Sequence, residues 1–142
     1  MLTSNRFAVA VHIMTLLEMD KTARVTSEYI AGSVNTNPVV IRRIIGMLNK
    51  GGLVTTSAGV AGAVITRPAS EITHYDIYNA VHKNGHDELF AIHDKPNPDC
   101  TVGRNIQSSL ETAFNEAQKA MELKLANITL EHIINDVVRK VQ

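Results

Sequence analysis

The stretch that most constrains this chain runs from Thr36 to Thr66. It opens Thr-Asn-Pro-Val-Val-Ile-Arg-Arg-Ile-Ile-Gly-Met-Leu-Asn-Lys-Gly-Gly. Asn37 is a good N-cap. Pro38 suits the first helical position, because the N–H it lacks would have no helical partner there. Gly51-Gly52 marks the stop. Two short β-branched runs follow, at 53–57 and 63–66, joined by the glycine-containing loop 58–62, which is a hairpin signal. A capped helix with paired arginines, running straight into a small hairpin, is the second half of a winged helix-turn-helix.

The faces of that helix separate cleanly. Ile41, Ile44, Ile45 and Leu48 fall on one side, extended by Val40 and Met47. Val39, Arg42, Arg43, Gly46, Asn49 and Lys50 fall largely on the other. The outer face is basic, free of acids, and has small residues near its start. A helix entering the major groove needs these properties: charge for phosphates and short side chains near base edges. Two arginines alone would fit an ordinary solvated face, but the turn, the cap and the wing favour DNA. The expected DNA contacts are Thr36, Asn37, Val39, Arg42, Arg43 and Lys50, with Thr55, Ser57 and Arg67 from the wing, where Thr56 could also serve. Gly59-x-x-Gly62 is weak evidence for a phosphate cradle, and the glycines are better read as turn residues.

Upstream, residues 3–19 read as a helix with Phe7, Val11 and Met14 on its apolar stripe, extended by Ala10 and Leu17. Thr3 or Ser4 can cap it. His12 in this helix is expected to be structural. Residues 20–25 are a polar turn. Thr26 caps a short second helix, with Glu28 in its first turn and Ile30, Ala31 and Val34 inward. Two short helices with a tight polar turn between them match a helix-turn-helix.

Downstream, Thr73 with Asp76 resembles a capping box, and Ile72 with Ile77 a hydrophobic staple. That helix is expected to reach about Lys83 and to stop at Asn84-Gly85. Residues 84–100 break the pattern and hold His86, Asp87, Glu88, His93, Asp94, Asp99 and Cys100, which suggests a sensor loop. From Thr101 to about Asn127 the only glycine is Gly103 and there is no proline. Ile106, Leu110, Ala113, Ala117 and Ala120 recur at helical spacing, widened by Phe114, Met121 and Leu125. A helix of about 25 residues is roughly 40 Å long, more than so small a unit covers by itself. Its small-residue seam predicts a homodimer in which the 101–127 helix crosses its symmetry mate. Thr129 then caps a last helix, between the staple partners Ile128 and Ile133, with Ile134, Val137 and Val138 continuing its apolar side. The expected organisation is a DNA-binding unit at 1–83, a sensor loop at 84–100 and a dimerisation unit at 101–142. The fold class is mainly α with one β-hairpin wing.

Charge supports this division. The net charge is zero, but residues 1–67 hold seven bases and three acids, a balance of +4, and the rest a balance of −4. No acid falls between Glu28 and Glu71. A polyanion would approach the first half and be repelled by the second. No run of about 20 apolar residues exists, so no membrane span is expected. The N-terminus lacks a secretory layout, and a cytoplasmic protein is the expectation. The single cysteine excludes an internal disulfide framework.

The order of elements resembles the Rrf-two (Rrf2) family of bacterial transcription regulators, over nearly the whole chain. The stretches that carry the resemblance are Leu2-Thr3-Ser4 to Ala8, Asn37-Pro38-Val39-Val40-Ile41-Arg42-Arg43, Leu48 to Val54, the Gly59 to Gly62 wing tip, and Ile72-Thr73-His74-Tyr75-Asp76-Ile77. The Asn37 to Arg43 run and the segment from Asp99 to Ile106 look closest to its YwnA-like branch. The resemblance implies a homodimeric winged-helix regulator, usually a repressor, on a short imperfect palindrome. It implies base reading from early exposed positions of the recognition helix, here Val39 and Arg42. Many members place an arginine just before the wing-tip glycines, where this chain has Ala58.

Cluster-binding members bring three closely spaced cysteines from the loop before the long helix. This chain has Cys100 alone, and one thiolate does not replace three ligands, so no iron–sulfur cluster is expected. Cys100 remains a candidate redox sensor, through a disulfide to a second subunit, or a structural thiol. His82, His86 and His93 with Asp87 or Asp94 match no standard metal spacing. A small molecule between the winged unit and the long helix is an alternative effector. No nucleophile motif or dinucleotide fingerprint supports an enzyme. A winged helix used for protein–protein contact is the competing reading.

Overall fold

The computed structural model describes residues 5–20, 25–82 and 90–142. The elements in order are α1 (Arg6–Met19), α2 (Ser27–Val34), α3 (Pro38–Lys50), β1 (Val54–Ser57), β2 (Val60–Ile65), a 3-10 turn (Ala69–Glu71), α4 (His74–Val81), α5 (Thr101–Ala126) and α6 (Leu130–Val141).

Caps set most of the boundaries. Thr26 accepts from Tyr29 N at the start of α2, and Asn37 accepts from Val39 N at 2.8 Å at the start of α3. Between them Asn35 takes a left-handed conformation at φ 64°, and Ala31 O accepts from both Asn35 N and Thr36 N. Asparagine tolerates that conformation. The turn therefore closes within three residues and fixes α2 against α3. At α4 the capping box is present, with Thr73 Oγ1 accepting from Asp76 N and Asp76 Oδ2 accepting from Thr73 N. The N-cap of α1 is Asn5, without a side-chain bond. The expected caps Thr3 and Ser4, the 21–24 part of the first turn, and the expected stop of α4 at 83–85 lie outside the described residues.

Ile13, Met14, Ile30, Ile41, Leu48, Leu53, Ile72, Ile77 and Leu130 are fully buried and meet in one aliphatic core between α1, α3, α4 and the start of α6. Each such side chain contributes on the order of 1.5–3 kcal/mol by leaving water. On α1 the buried apolar set is Val9, Ala10, Ile13, Met14 and Leu17, joined by the buried hydroxyl residue Thr15, while Phe7 and Val11 are half-buried. The face is rotated from the expected stripe because α1 is apolar nearly all round. Phe7 instead meets Tyr78 edge-on at 5.5 Å. His12 is structural in position, with Nε2 2.9 Å from Ser33 Oγ across α1 and α2.

The wing is a two-stranded antiparallel sheet pairing Val54 with Ile65, Thr55 with Val64, Thr56 with Ala63 and Ser57 with Val60, with a bulge between Thr56 and Ser57. The expected loop 58–62 is therefore shorter: only Ala58 and Gly59 turn the chain, and Val60 to Gly62 belong to β2. Gly62 (φ 95°) lies so close to the backbone of Val25 that a Cβ would stand 3.1 Å from its carbonyl oxygen.

Among the described residues, no helix is long and apolar enough to cross a membrane. The 26 residues of α5 contain none that is buried. Val102, Ile106 and Leu123 are exposed, and Phe90 packs on Phe114 at 5.0 Å.

Candidate nucleic-acid interface

The second helix of the helix-turn-helix, α3, has the division of faces expected from its sequence. Ile41, Ile44, Ile45 and Leu48 are buried, and Val39, Arg42, Arg43, Gly46, Asn49 and Lys50 are exposed. Pro38 occupies the first helical position and Asn37 is used as the cap. Asn37 Oδ1 is thus engaged by Val39 N. The Thr36 backbone N–H is likewise taken, by Ala31 O.

The wing stands beside this helix. Thr55 and Ser57 are exposed on β1. Asn49 Nδ2 donates to Thr56 Oγ1 at 3.4 Å, tying α3 to the strand. A groove of about 280 Å³ lies between α3 and the wing, lined by Ser27, Arg42, Gly46, Asn49, Thr56 and Gly62 among others. Thr56, an expected wing contact, belongs to this surface, and so does Ser27 at the start of α2, which is not among the expected contacts.

Two arginines are less free than the sequence suggests. Arg42 Nη2 donates to Glu28 Oε1 at 2.5 Å. Arg67 does not extend along the wing. It sits at the base, where Nη2 donates to Asp76 Oδ2 at 2.9 Å and Nε to Glu71 O at 3.2 Å. Arg43 and Lys50 are exposed on α3. The structure therefore brings Val39, Arg42, Arg43 and Lys50 to the open face of α3 with Thr56 facing that helix from the wing, sets Thr55 and Ser57 on the opposite face of β1 in the lining of the cavity behind the wing, and ties Arg67 to α4. Sequence spacing carries a partial signal for the Arg42 pair, since a tight turn between α2 and α3 sets their faces against each other.

Cys100 is exposed and is the N-cap of α5, with no side-chain cap bond. A cavity of about 720 Å³ lies behind the wing, against the end of α1 and the first residues of α6, with Leu17, Val25, Ile65 and Arg67 in its lining. It is not the expected space between the winged unit and the long helix.

A family model described as Rrf2, iron-dependent transcriptional regulator, matches residues 3–136. The chain belongs to the Rrf2 family. It is 46% identical over 132 residues to the candidate HTH-type transcriptional regulator YwnA of Bacillus subtilis (strain 168), spanning 93% of this chain and 96% of that protein. A crystal structure of a candidate DNA binding protein shares the fold with a TM-score of 0.73 and 41% identity, over 91% of this chain and 98% of that one. Oxidised CymR of Staphylococcus aureus, at 19% identity and a TM-score of 0.68, covers 94% of this chain and 96% of its own and shows likeness of fold. This Rrf2 chain is accordingly a transcriptional regulator with a winged helix.

The family description names iron, and the donor set can be tested for it. Cys100 is the single thiol. Among the described residues, no three His, Cys, Asp or Glu side chains stand together as a metal would need. His86, Asp87 and Glu88 lie outside the described residues. The donors that are described do not fit an iron–sulfur cluster, which calls for several thiolates.

Proposed function

We propose that this protein is a homodimeric DNA-binding repressor that places α3 of each subunit in successive major grooves of a short imperfect palindrome. The observation that carries the reading is the outer face of α3: exposed, carrying Arg42, Arg43 and Lys50, free of acids, and opening on a capped N-terminus beside a small wing. Base reading falls to Val39 and Arg42. Phosphate contact falls to Arg43, Lys50, Thr55 and Ser57, with Thr36 and Asn37 holding the entry of the helix. Arg67 supports the wing from its base.

The second subunit is supported by α5. A 26-residue helix with no buried residue, and with Val102, Ile106 and Leu123 exposed, leaves apolar surface that a second copy would cover. On this reading residues 1–83 read DNA, 84–100 form the sensor loop and 101–142 join the subunits. The protein acts in the cytoplasm and carries out no catalysis.

The test is recovery of genomic fragments by the purified full chain, followed by titration of the best fragment at increasing salt. Binding that falls steeply with salt, at two chains per site, is the expected result. No fragment bound above background would leave the protein-contact reading of the winged helix in its place.

A further inference from the structure

Glu28 is the last acid before a 42-residue stretch without one, and the fold sets it against the basic helix. Its carboxylate accepts from Arg42 Nη2. Glu28 is anchored from its own side. It lies in the first turn of α2, where the helix dipole favours an anion, and Thr26 caps the same end. Arg42 in turn borders the groove that α3 shares with the wing, next to Gly46, Asn49 and Thr56. A guanidinium presents five N–H donors in one planar fork. Glu28 engages one nitrogen and leaves the rest for a base edge.

We infer that Glu28 is a positioning residue for sequence reading: it fixes the Arg42 fork at the mouth of the groove so that the fork meets one base pair, a guanine offering O6 and N7, in a preset orientation. Its charge also opposes a phosphate at the same place, so sequence-independent binding is weakened more than operator binding. This inference rests on α3 being the helix that reads DNA. Both side chains are more than half exposed, at 55% for Arg42 and 65% for Glu28, so the pair adds little to stability and can be altered without unfolding the chain.

The experiment is selection of bound duplexes from a randomised pool by the full chain, as wild type, Glu28→Ala, Glu28→Gln and Arg42→Ala. Affinity for a duplex lacking the selected sequence is measured beside it. Arg42→Ala is expected to erase the preference at one base pair per half-site. Glu28→Ala is expected to relax the preference at that same pair, up to about fivefold, the limit for an exposed pair, and to tighten non-specific binding. Glu28→Gln, which keeps an acceptor oxygen for the guanidinium, should retain more of the preference than Ala. If Arg42→Ala changes the selected sequence and Glu28→Ala leaves it intact, or relaxes a different position, the inference is overturned while the reading of α3 stands. If Arg42→Ala itself selects the wild-type sequence, the inference falls, and the reading of α3 is then decided by the Arg42→Ala, Arg43→Ala double variant.

Discussion

Thr73 and Thr129 face each other across an isolated antiparallel bridge, and each is the N-cap of a helix with a full capping box. The bridge is flanked by His74 N donating to Ile128 O at 2.7 Å and Leu130 N to Ile72 O at 2.8 Å. The last helix of the winged unit and the last helix of the chain thus start from one point. Asp76, the acid of the first box, also receives Arg67 from the base of the wing. A continuous set of hydrogen bonds therefore runs from the wing to α6, past the end of α5.

That junction predicts unequal effects of two neighbouring substitutions. Thr129→Ala removes a cap and should cost about 1 kcal/mol. Leu130→Ala empties a fully buried site in the core and should cost roughly 2–5 kcal/mol. Urea unfolding of the two variants checks the order. Equal losses would mean that Leu130 is not part of the core of the winged unit.

His74 predicts a pH dependence of stability. Burial lowers its pKa, the Ile128 carbonyl facing Nδ1 at 3.0 Å partly restores it, and His132 lowers it further, for a net depression. The unfolded chain then takes up the proton first as pH falls. The contribution is fully present above the ordinary histidine range and is lost as pH drops through that range toward the lower folded value. Unfolding midpoints should fall between about pH 7.5 and about pH 5, and the slope should be shallower in His74→Phe. An unchanged slope would remove His74 as its source.

The wing glycines differ in a measurable way. Gly59 (φ 73°) faces open space, so Gly59→Ala meets only backbone strain, about 1–2 kcal/mol. Gly62→Ala adds a Cβ 3.1 Å from Val25 O, which must push β2 from the turn before α2. Its unfolding midpoint should be the lower of the two. The reverse order would contradict the close approach of β2 to Val25.

Cys100 predicts a clean result because it is the only thiol. A disulfide between two cysteines of this protein must join two chains. An oxidant should give a covalent dimer in the wild type and none in Cys100→Ser. Exposed and free of a cap bond, Cys100 should tolerate serine within about 0.5 kcal/mol of stability. An oxidant response of DNA binding that survives the substitution would exclude Cys100 as the switch.

Much of this fold is legible in short-range chemistry. Asn37-Pro38, Thr26, Thr73 with Asp76, and Thr129 each act on backbone N–H groups within three residues, and all four caps are used. The faces of α3 follow from apolar residues at helical spacing, Ile41, Ile44, Ile45 and Leu48, with Arg42, Arg43 and Lys50 falling between them. Legibility fails where the pattern is weak. Helix α1 offers apolar residues in every direction, so its neighbours choose the buried face. Val60-Ala61-Gly62-Ala63 has no period-two contrast, so β2 begins earlier than its composition implies. The pairs Arg42–Glu28 and Arg67–Asp76 join residues 14 and nine apart across turns; the tight turn between α2 and α3 hints at the first, and only the three-dimensional path brings the second together.

The most direct test of the central claim is the salt-dependent affinity of the full chain for its best genomic fragment, compared with Arg42→Ala combined with Arg43→Ala. Loss of preference for that fragment, with a log–log salt slope smaller by about one for each phosphate contact removed, is the predicted result. Unchanged affinity of the double variant for every fragment would show that α3 does not read DNA.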